Sequence, residues 1–286
     1  MGVESDSTGL KVKSSASGGS FLERHDFLLR RLHSFSGIIP IGLFLIAHLT
    51  TNSSVVWGMI DPRSQERAGE LGHAGVASFQ HDVDFINNSV PFLILIEISL
   101  WLAIGFHSVY GFYIASTGKS NVRRYDYQGN WRYTLQRISG YVGILFILYH
   151  VATLRWGWTF LVPGGTRWSA EFAASTMATI LQGNGVKLAG VLVTAGYLIG
   201  ITLLVFHFAN GLWTAAISWG LTISEASQRR WGYACAGLGA MLMVMAWSSV
   251  FAFATLDVKR ARATELRMMG ESVAENVVPE VSVQRD

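Results

Sequence analysis

Five apolar stretches constrain this chain more than any short motif does. They run through Phe35 to Thr51, Val90 to Ser116, Ile138 to Phe160, Val186 to Gly220 and Tyr233 to Leu256. Each approaches or exceeds the roughly 20 residues that cross a bilayer as a helix. Backbone in hydrocarbon must hydrogen-bond to itself, so the expected fold is all-α, an integral membrane bundle of five transmembrane helices. With 50% hydrophobic residues, 14% charged residues and a mean hydropathy of +0.34, the composition excludes an ordinary soluble domain. The first stretch is the shortest. It reaches spanning length if its helix starts near Phe27, with Arg30 and Arg31 snorkelling to the headgroups.

An odd number of crossings puts the two termini on opposite sides. Arg24, Arg30, Arg31, Lys119, Arg123, Arg124, Arg132, Arg137, Arg229 and Arg230 fall on the N-terminal side, against Arg63, Arg67, Arg155, Arg167 and Lys187 opposite. The positive-inside bias therefore places the N-terminus in the cytoplasm; a bacterial-type inner membrane is the expected location. Lys259, Arg260, Arg262 and Arg267 disagree, because five crossings carry them outside. Residues 1–20 are rich in Ser and Gly and read as a disordered lead-in without the apolar region of a signal peptide. Residues 21–256 form the membrane domain, and 257–286 read as a polar, solvated tail, with a short surface helix followed by a loose tail as the alternative. The connection from Asn52 to Asn88 is long enough for a lid or a small packed cap. Cys235 is the lone thiol, so the chain has no cysteines to hold an iron-sulfur cluster or to attach haem covalently.

Four histidines, His48, His107, His150 and His207, each lie in a different apolar stretch. An imidazole there is costly and marks function. From Lys187 to His207 is about 30 Å of helix and from Arg31 to His48 about 26 Å, so both sit far from the face where their helix begins. His107 and His150 lie on the order of 18 to 20 Å from the charges Lys119 and Arg137. These depths pair His107 with His207 nearer the cytoplasm and His48 with His150 nearer the outside. Two histidines from different helices at one level can hold one haem iron from both faces, so the set fits two stacked haem b. Gly105, Gly111, Gly140, Gly143 and Gly211 leave room for a flat macrocycle, although glycine also simply lets helices approach. His33, near the cytoplasmic end, is a candidate donor to a haem propionate or a contact for a partner protein. His73 and His81 belong to the first outer loop, where solvent exposure is the default. A haem-free reading also stays open, in which the histidines relay protons through a transporter.

The runs FLLRRLHSFSGIIPIGLFLIAHLTTN, LIEISLWLAIGFHSVYGFYIA, NWRYTLQRISGYVGILFILYHV and FHFANGLWTAAISWGLT resemble the di-haem cytochrome b anchor of succinate dehydrogenases and fumarate reductases. The resemblance covers most of residues 21–256, including the order and spacing of the four histidines. It implies that His107 and His207 hold a proximal haem near an iron-sulfur subunit, and that His48 and His150 hold a distal haem. The N-terminal extension, the long first outer loop and the basic tail go beyond the family pattern.

What the resemblance implies is a membrane anchor and electron conduit in a succinate:quinone oxidoreductase. Electrons would pass from succinate through a flavoprotein subunit and an iron-sulfur subunit on the cytoplasmic face to the two haems, and then to a quinone, expected to be menaquinone. FAD and iron-sulfur clusters belong to those partners, since this chain carries neither a dinucleotide fingerprint nor clustered cysteines. Membrane lipid surrounds it, and no nucleic-acid partner is expected. Glu97, a carboxylate inside the second apolar stretch, is the candidate for quinone-linked proton transfer, with a structural carboxyl as the alternative. Arg31 and Arg137 are candidates for haem propionates, with headgroup anchoring as the alternative. A cytochrome b subunit of another respiratory complex, a hydrogenase or formate dehydrogenase, shares histidine ligation in a helical bundle.

Overall fold

A computed structural model describes residues 21–117 and 128–270. The lead-in 1–20, the basic residues Lys119, Arg123 and Arg124, and residues 271–286 lie outside the described residues. The described chain is all-helical and contains five helical spans long and apolar enough to cross a membrane.

The first crossing is made of α1 (Phe21–Ile38) and α2 (Pro40–Trp57), which act as one rod from Arg24 to Ile60. Pro40 has no N–H to give, yet the ladder resumes around it: Ile39 N donates to Phe35 O at 2.9 Å and Leu43 N to Ile39 O at 3.3 Å. This crossing is longer at its far end than the apolar stretch predicts. Asn52, Ser53 and Ser54 do not break it, because their side chains fold back onto the carbonyls of His48, Thr50 and Thr51 at 2.8, 2.9 and 2.7 Å.

Two short helices follow, α3 (Pro62–Ala68) and α4 (Ala74–Asn88), and then the second crossing, α5 (Val90–Thr117). The third is α6 (Gln128–Leu154); α7 (Ala173–Leu181) precedes the fourth, α8 (Lys187–Ser218); the fifth is α9 (Glu225–Thr255), and α10 (Val258–Met268) follows it. Helix α8 packs against both α6 and α9, α9 also against α2, and α1 against both α5 and α8. Along α5, Leu95, Leu102 and Val109 are more than 60% exposed, as residues facing lipid are.

The four short helices gather where the first, third and fifth crossings end. There α10 packs on α3, α4 and α7, and α4 and α7 pack on each other. Val76, Phe79, Ala174, Ala178, Leu181, Phe253 and Ala261 bury one core between this cap and the ends of the spans. A buried carboxylate fastens it. Glu265, with no exposed surface, accepts from the backbone N–H of Ala174 at 2.8 Å, that of Ser175 at 3.0 Å and the Ser175 hydroxyl at 2.5 Å. Those are orphan donors of the first turn of α7, where a negative charge is also favoured by the helix dipole.

Residues 258–268 are therefore a docked helix, in contrast to the solvated tail read from composition. The basic side chains that set the tail against the charge bias are also employed. Arg260 donates to the carbonyls of Leu71 and Gly72, Arg267 to that of Ala68, and the Arg262 guanidinium lies over the Phe172 ring. These three serve as packing and hydrogen-bonding groups. His73 likewise is not a solvated loop residue: its Nδ1 caps α4 by accepting from Val76 N at 3.2 Å, and its N–H donates to Thr264 Oγ1 at 3.0 Å. Burial, with Arg260 as a second cause, holds its imidazole below the usual histidine range.

Glu265→Ala strips the acceptor from two buried N–H groups and is expected to weaken the cap by about 2–4 kcal/mol. Hydrogen exchange should then quicken in α7 and α10 while the spans stay protected. Burial also pushes the Glu265 carboxyl above its ordinary value of 4.5, outweighing the donors that favour its charge. The folded cap binds that proton more tightly than the unfolded chain does. Cap stability should accordingly fall as pH rises from about 4.5 through the raised value, and Glu265→Gln should flatten the slope. A slope that survives in the Gln variant assigns the titration elsewhere.

Candidate functional site

Helix α2 carries His48, α5 His107, α6 His150 and α8 His207, and all four line one cavity of ≈ 680 Å³. The rings meet in two pairs. His107 and His207 have ring centres 6.0 Å apart with planes at 81°, and His48 and His150 are 5.7 Å apart with planes at 84°. These are the pairs that depth along the helices predicts. A metal-bound imidazole nitrogen sits about 2 Å from the metal and about 1 Å from its own ring centre, so an axial pair on one metal spaces its ring centres about 6 Å apart. Both pairs have that spacing. No cluster of three or more His, Cys, Asp or Glu side chains forms among the described residues. Two nitrogens per site suit a metal whose other ligands arrive with a macrocycle, as haem iron's do.

The His107–His207 pair is held by a device used twice. Nδ1 of His107 lies 2.9 Å from the carbonyl of His33 and 3.3 Å from the Ser36 hydroxyl, on α1. Nδ1 of His207 lies 3.1 Å from the carbonyl of Gln136 and 3.2 Å from the Ser139 hydroxyl, on α6. A carbonyl can only accept, so each Nδ1 carries the proton and each Nε2 keeps the lone pair that binds a metal. Each serine donates back to the same carbonyl, at 2.8 and 3.1 Å, and so accepts from the imidazole. The next residue in each case is a glycine against the same ring. A Cβ built on Gly37 would lie 2.5 Å from Cε1 of His107, and one on Gly140 would lie 3.1 Å from Cε1 of His207. Carbonyl, serine and glycine at positions i, i+3 and i+4 thus form a cradle for an imidazole from the neighbouring helix.

No such cradle serves the other pair. Nδ1 of His150 is buried with no hydrogen-bond partner among the described residues, and His48 Nε2 is 3.4 Å from the Asn52 amide one turn along. Aromatic faces take over: Phe44 stacks on His48 at 5.3 Å, and Phe146 and Tyr197 each lie 5.8 Å from His150. Glu97 also lines the cavity. It is not an isolated carboxyl, because Arg155 grips it fork to fork, Nε to Oε1 at 2.6 Å and Nη2 to Oε2 at 3.1 Å. Trp101 and Trp156, one turn along from the former and beside the latter, stack at 5.6 Å.

The remaining candidates separate. His33 lines the cavity and stacks on His107, ring centres 4.0 Å apart and planes at 13°. Arg137 lines it too and donates to the carbonyl of Ala115. Arg31 does not join the lining; its guanidinium lies over the Phe27 ring at 4.2 Å, which suits headgroup anchoring. Among the glycines, Gly140 makes room for the His207 imidazole, whereas a Cβ on Gly105 would meet nothing within 4 Å. Sequence reasoning missed Gly37, the two serines and Arg155. The repeated Ser-Gly in HSFSG and QRISG was the available signal for the cradle.

This chain is similar to the succinate dehydrogenase cytochrome b558 subunit of Bacillus subtilis (strain 168), with 32% identity over 229 residues, covering 80% of this chain and 97% of that protein. No protein-family model and no solved structure matches it.

Gly37→Ala drives a methyl into the His107 ring and is expected to destabilise the detergent-solubilised protein by about 1–3 kcal/mol, read as a lowered Tm. Gly105→Ala, pointing into open space, should be neutral or slightly stabilising because alanine is the better helix former. Matching Tm values for the two variants would show that the cradle is not tight.

Proposed function

Because the chain belongs to the succinate dehydrogenase cytochrome b subunit family, we propose that it is the di-haem membrane anchor of a succinate:quinone oxidoreductase. One observation carries the reading: two imidazole pairs, each with the ring spacing of an axial ligand set, line the same cavity. His107 and His207 hold one haem b, and His48 and His150 the other. When bound, each haem supplies a one-electron carrier, and the pair links the two faces of the membrane. The chain's own contribution is to present His107 and His207 through Nε2 and to hold His48 and His150 between aromatic rings, to exclude water, and to place charge at the cavity's edges. His33 and Arg137, on the lining near His107 and His207, take propionate contacts.

The N-terminus lies in the cytoplasm, where a flavoprotein subunit with FAD and an iron-sulfur subunit dock and carry the dicarboxylate chemistry. Reducing a quinone to a quinol takes two electrons and two protons. Glu97, at the level of the His48–His150 pair, is the group that passes a proton to the quinone, menaquinone in this reading. Arg155 aims that carboxyl group; for the transfer, Glu97 takes up a proton from water as the bidentate pair opens, and gives it to the oxygen of the reduced quinone.

Replacing His107 or His207 by Ala should remove one b-type component in a redox titration, and replacing His48 or His150 the other, since losing either partner opens the same iron. If His48→Ala and His107→Ala removed the same component, the pairing would be wrong. Glu97→Gln should slow quinone reduction by about 10- to 100-fold while leaving both haem spectra and electron delivery to artificial acceptors intact. Unchanged quinone turnover across pH would return Glu97 to a purely structural ion pair with Arg155.

A further inference from the structure

The His207 cradle continues beyond Gln136 through side-chain amides, whereas beside the His107 cradle Arg30 and Tyr110 both donate to Asp26, and no hydrogen bond among the described residues carries that group on to the His33 carbonyl. Arg132, one turn before Gln136 on α6, donates from Nε to Oδ1 of Asn210 at 2.9 Å. Asn210, only 4% exposed on α8, donates from Nδ2 to Oε1 of Gln136 at 2.8 Å. Gln136 then donates from Nε2 to the carbonyl of His207 at 3.1 Å, and His207 returns a bond from Nδ1 to the carbonyl of Gln136 at 3.1 Å. The guanidinium also lies over the Trp213 ring at 3.8 Å, and the Trp213 indole donates to Gln228 O on α9 at 3.0 Å. Three helices are thus tied to one imidazole.

The direction of this chain of bonds is dictated by its first member. Arginine can only donate, so Asn210 must turn its oxygen to Arg132 and its amino group to Gln136. Gln136 must in turn offer its oxygen to Asn210 and its amino group to the His207 carbonyl. Each amide dipole is oriented by the one before it, and in a low-dielectric interior such aligned bonds reinforce one another.

We propose that Arg132, Asn210 and Gln136 are positioning residues for the His107–His207 haem. They lock the His207 ring in one tautomer and orientation, and they bring a fixed positive charge to bear on that site alone. This rests on the haem-ligation reading above. Partners of a ligating histidine set its basicity and orientation, and nearby positive charge favours the reduced, less positive iron. Losing the relay should therefore lower the midpoint potential of one component and leave the other where it is.

The test is a potentiometric titration of the intact complex, with components assigned from the histidine variants, for wild type, Arg132→Gln, Arg132→Lys, Asn210→Leu and the double variant Arg132→Gln/Asn210→Leu. At fixed potential, Arg132→Gln should move the oxidised-to-reduced ratio of the His107–His207 component about three- to tenfold toward oxidised, up to about 59 mV for a one-electron couple. Asn210→Leu should act in the same direction, the double variant should add little to the larger single effect, and Arg132→Lys should fall between wild type and Gln. Arg132 is half-exposed, so its variants carry the test if the buried Asn210→Leu loses haem. Unmoved midpoints, or equal shifts of both components, overturn the relay. A shift in Arg132→Gln without one in a haem-replete Asn210→Leu reduces Arg132 to a bare charge and overturns it as well. Wild type holding no haem would sink the ligation reading and the relay with it.

Discussion

Two hydrogen bonds organise this molecule: those from Nδ1 of His107 and His207 to main-chain carbonyls of the helices that face them. In hydrocarbon an unpaired imidazole N–H has no water to turn to, so each ring must be given a protein acceptor or remain a buried defect costing about 1–3 kcal/mol. Each of these helix carbonyls also receives the cradle serine's hydroxyl, so the imidazole N–H is shared between the carbonyl and the serine oxygen. The donor must come close, which only a small residue on the accepting helix permits. Gly37 and Gly140 supply that clearance, and α1 and α6 consequently fit against α5 and α8 at the level of the two rings. One bond thereby sets helix separation, ring tautomer and the free Nε2.

The cap solves a different problem with the same means. Short helices joined by polar connections cannot bury enough surface singly, but α4, α7 and α10 share a core with the ends of the spans, and α3 packs on α4 and α10 in a smaller cluster. Its polar joints are backbone groups met by side chains from far along the chain. Gln80 donates to Ala170 O at 2.8 Å and accepts from Ala173 N at 3.1 Å, while Glu265 takes the next two N–H groups of α7. Ile86 of α4 and Met177 and Leu181 of α7 reach the cavity lining itself. The cap therefore contributes apolar side chains to the lining at the His48–His150 end of the cavity.

The spans were legible because bilayer thickness imposes a length that composition alone can meet, and the histidine pairs were legible because depth along a helix is arithmetic. Contacts between distant segments were not. Glu97 reads in the sequence as a lone intramembrane carboxylate; its partner Arg155 is 58 residues away and reads as loop charge. Residues 258–268 read as solvated because Lys259, Arg260, Arg262, Glu265 and Arg267 are charged, and nothing local reveals that Glu265 meets α7 or that Arg260 and Arg267 meet the first outer loop. The cradles were half visible. Ser-Gly recurs three and four residues after the first residue of each cradle, but such pairs are common in membrane helices, and only the facing histidine gives them meaning.

The two ends of the cavity treat buried imidazoles in opposite ways, and the difference follows from what each end must do. At the His107–His207 end the Nδ1 atoms of both paired rings are bonded, the rings lie against glycines, and Gln136 and Asn210 extend the network outward, so the geometry of the pair is over-determined, although Nδ1 of the stacked His33 has no partner among the described residues. Nothing there can move without breaking several bonds together. At the His48–His150 end the rings are held chiefly by aromatic faces, His150 Nδ1 has no partner among the described residues, and the nearest strong interaction is the Glu97–Arg155 pair on the lining. Aromatic contacts are broad minima that tolerate sliding, whereas a bidentate ion pair opens to a competing acceptor. A rigid end suits passing an electron to a fixed partner protein, and an adaptable end suits a ligand that must enter, take protons and leave. On the proposed function the asymmetry in hydrogen bonding is thus the structural counterpart of one fixed and one mobile redox partner.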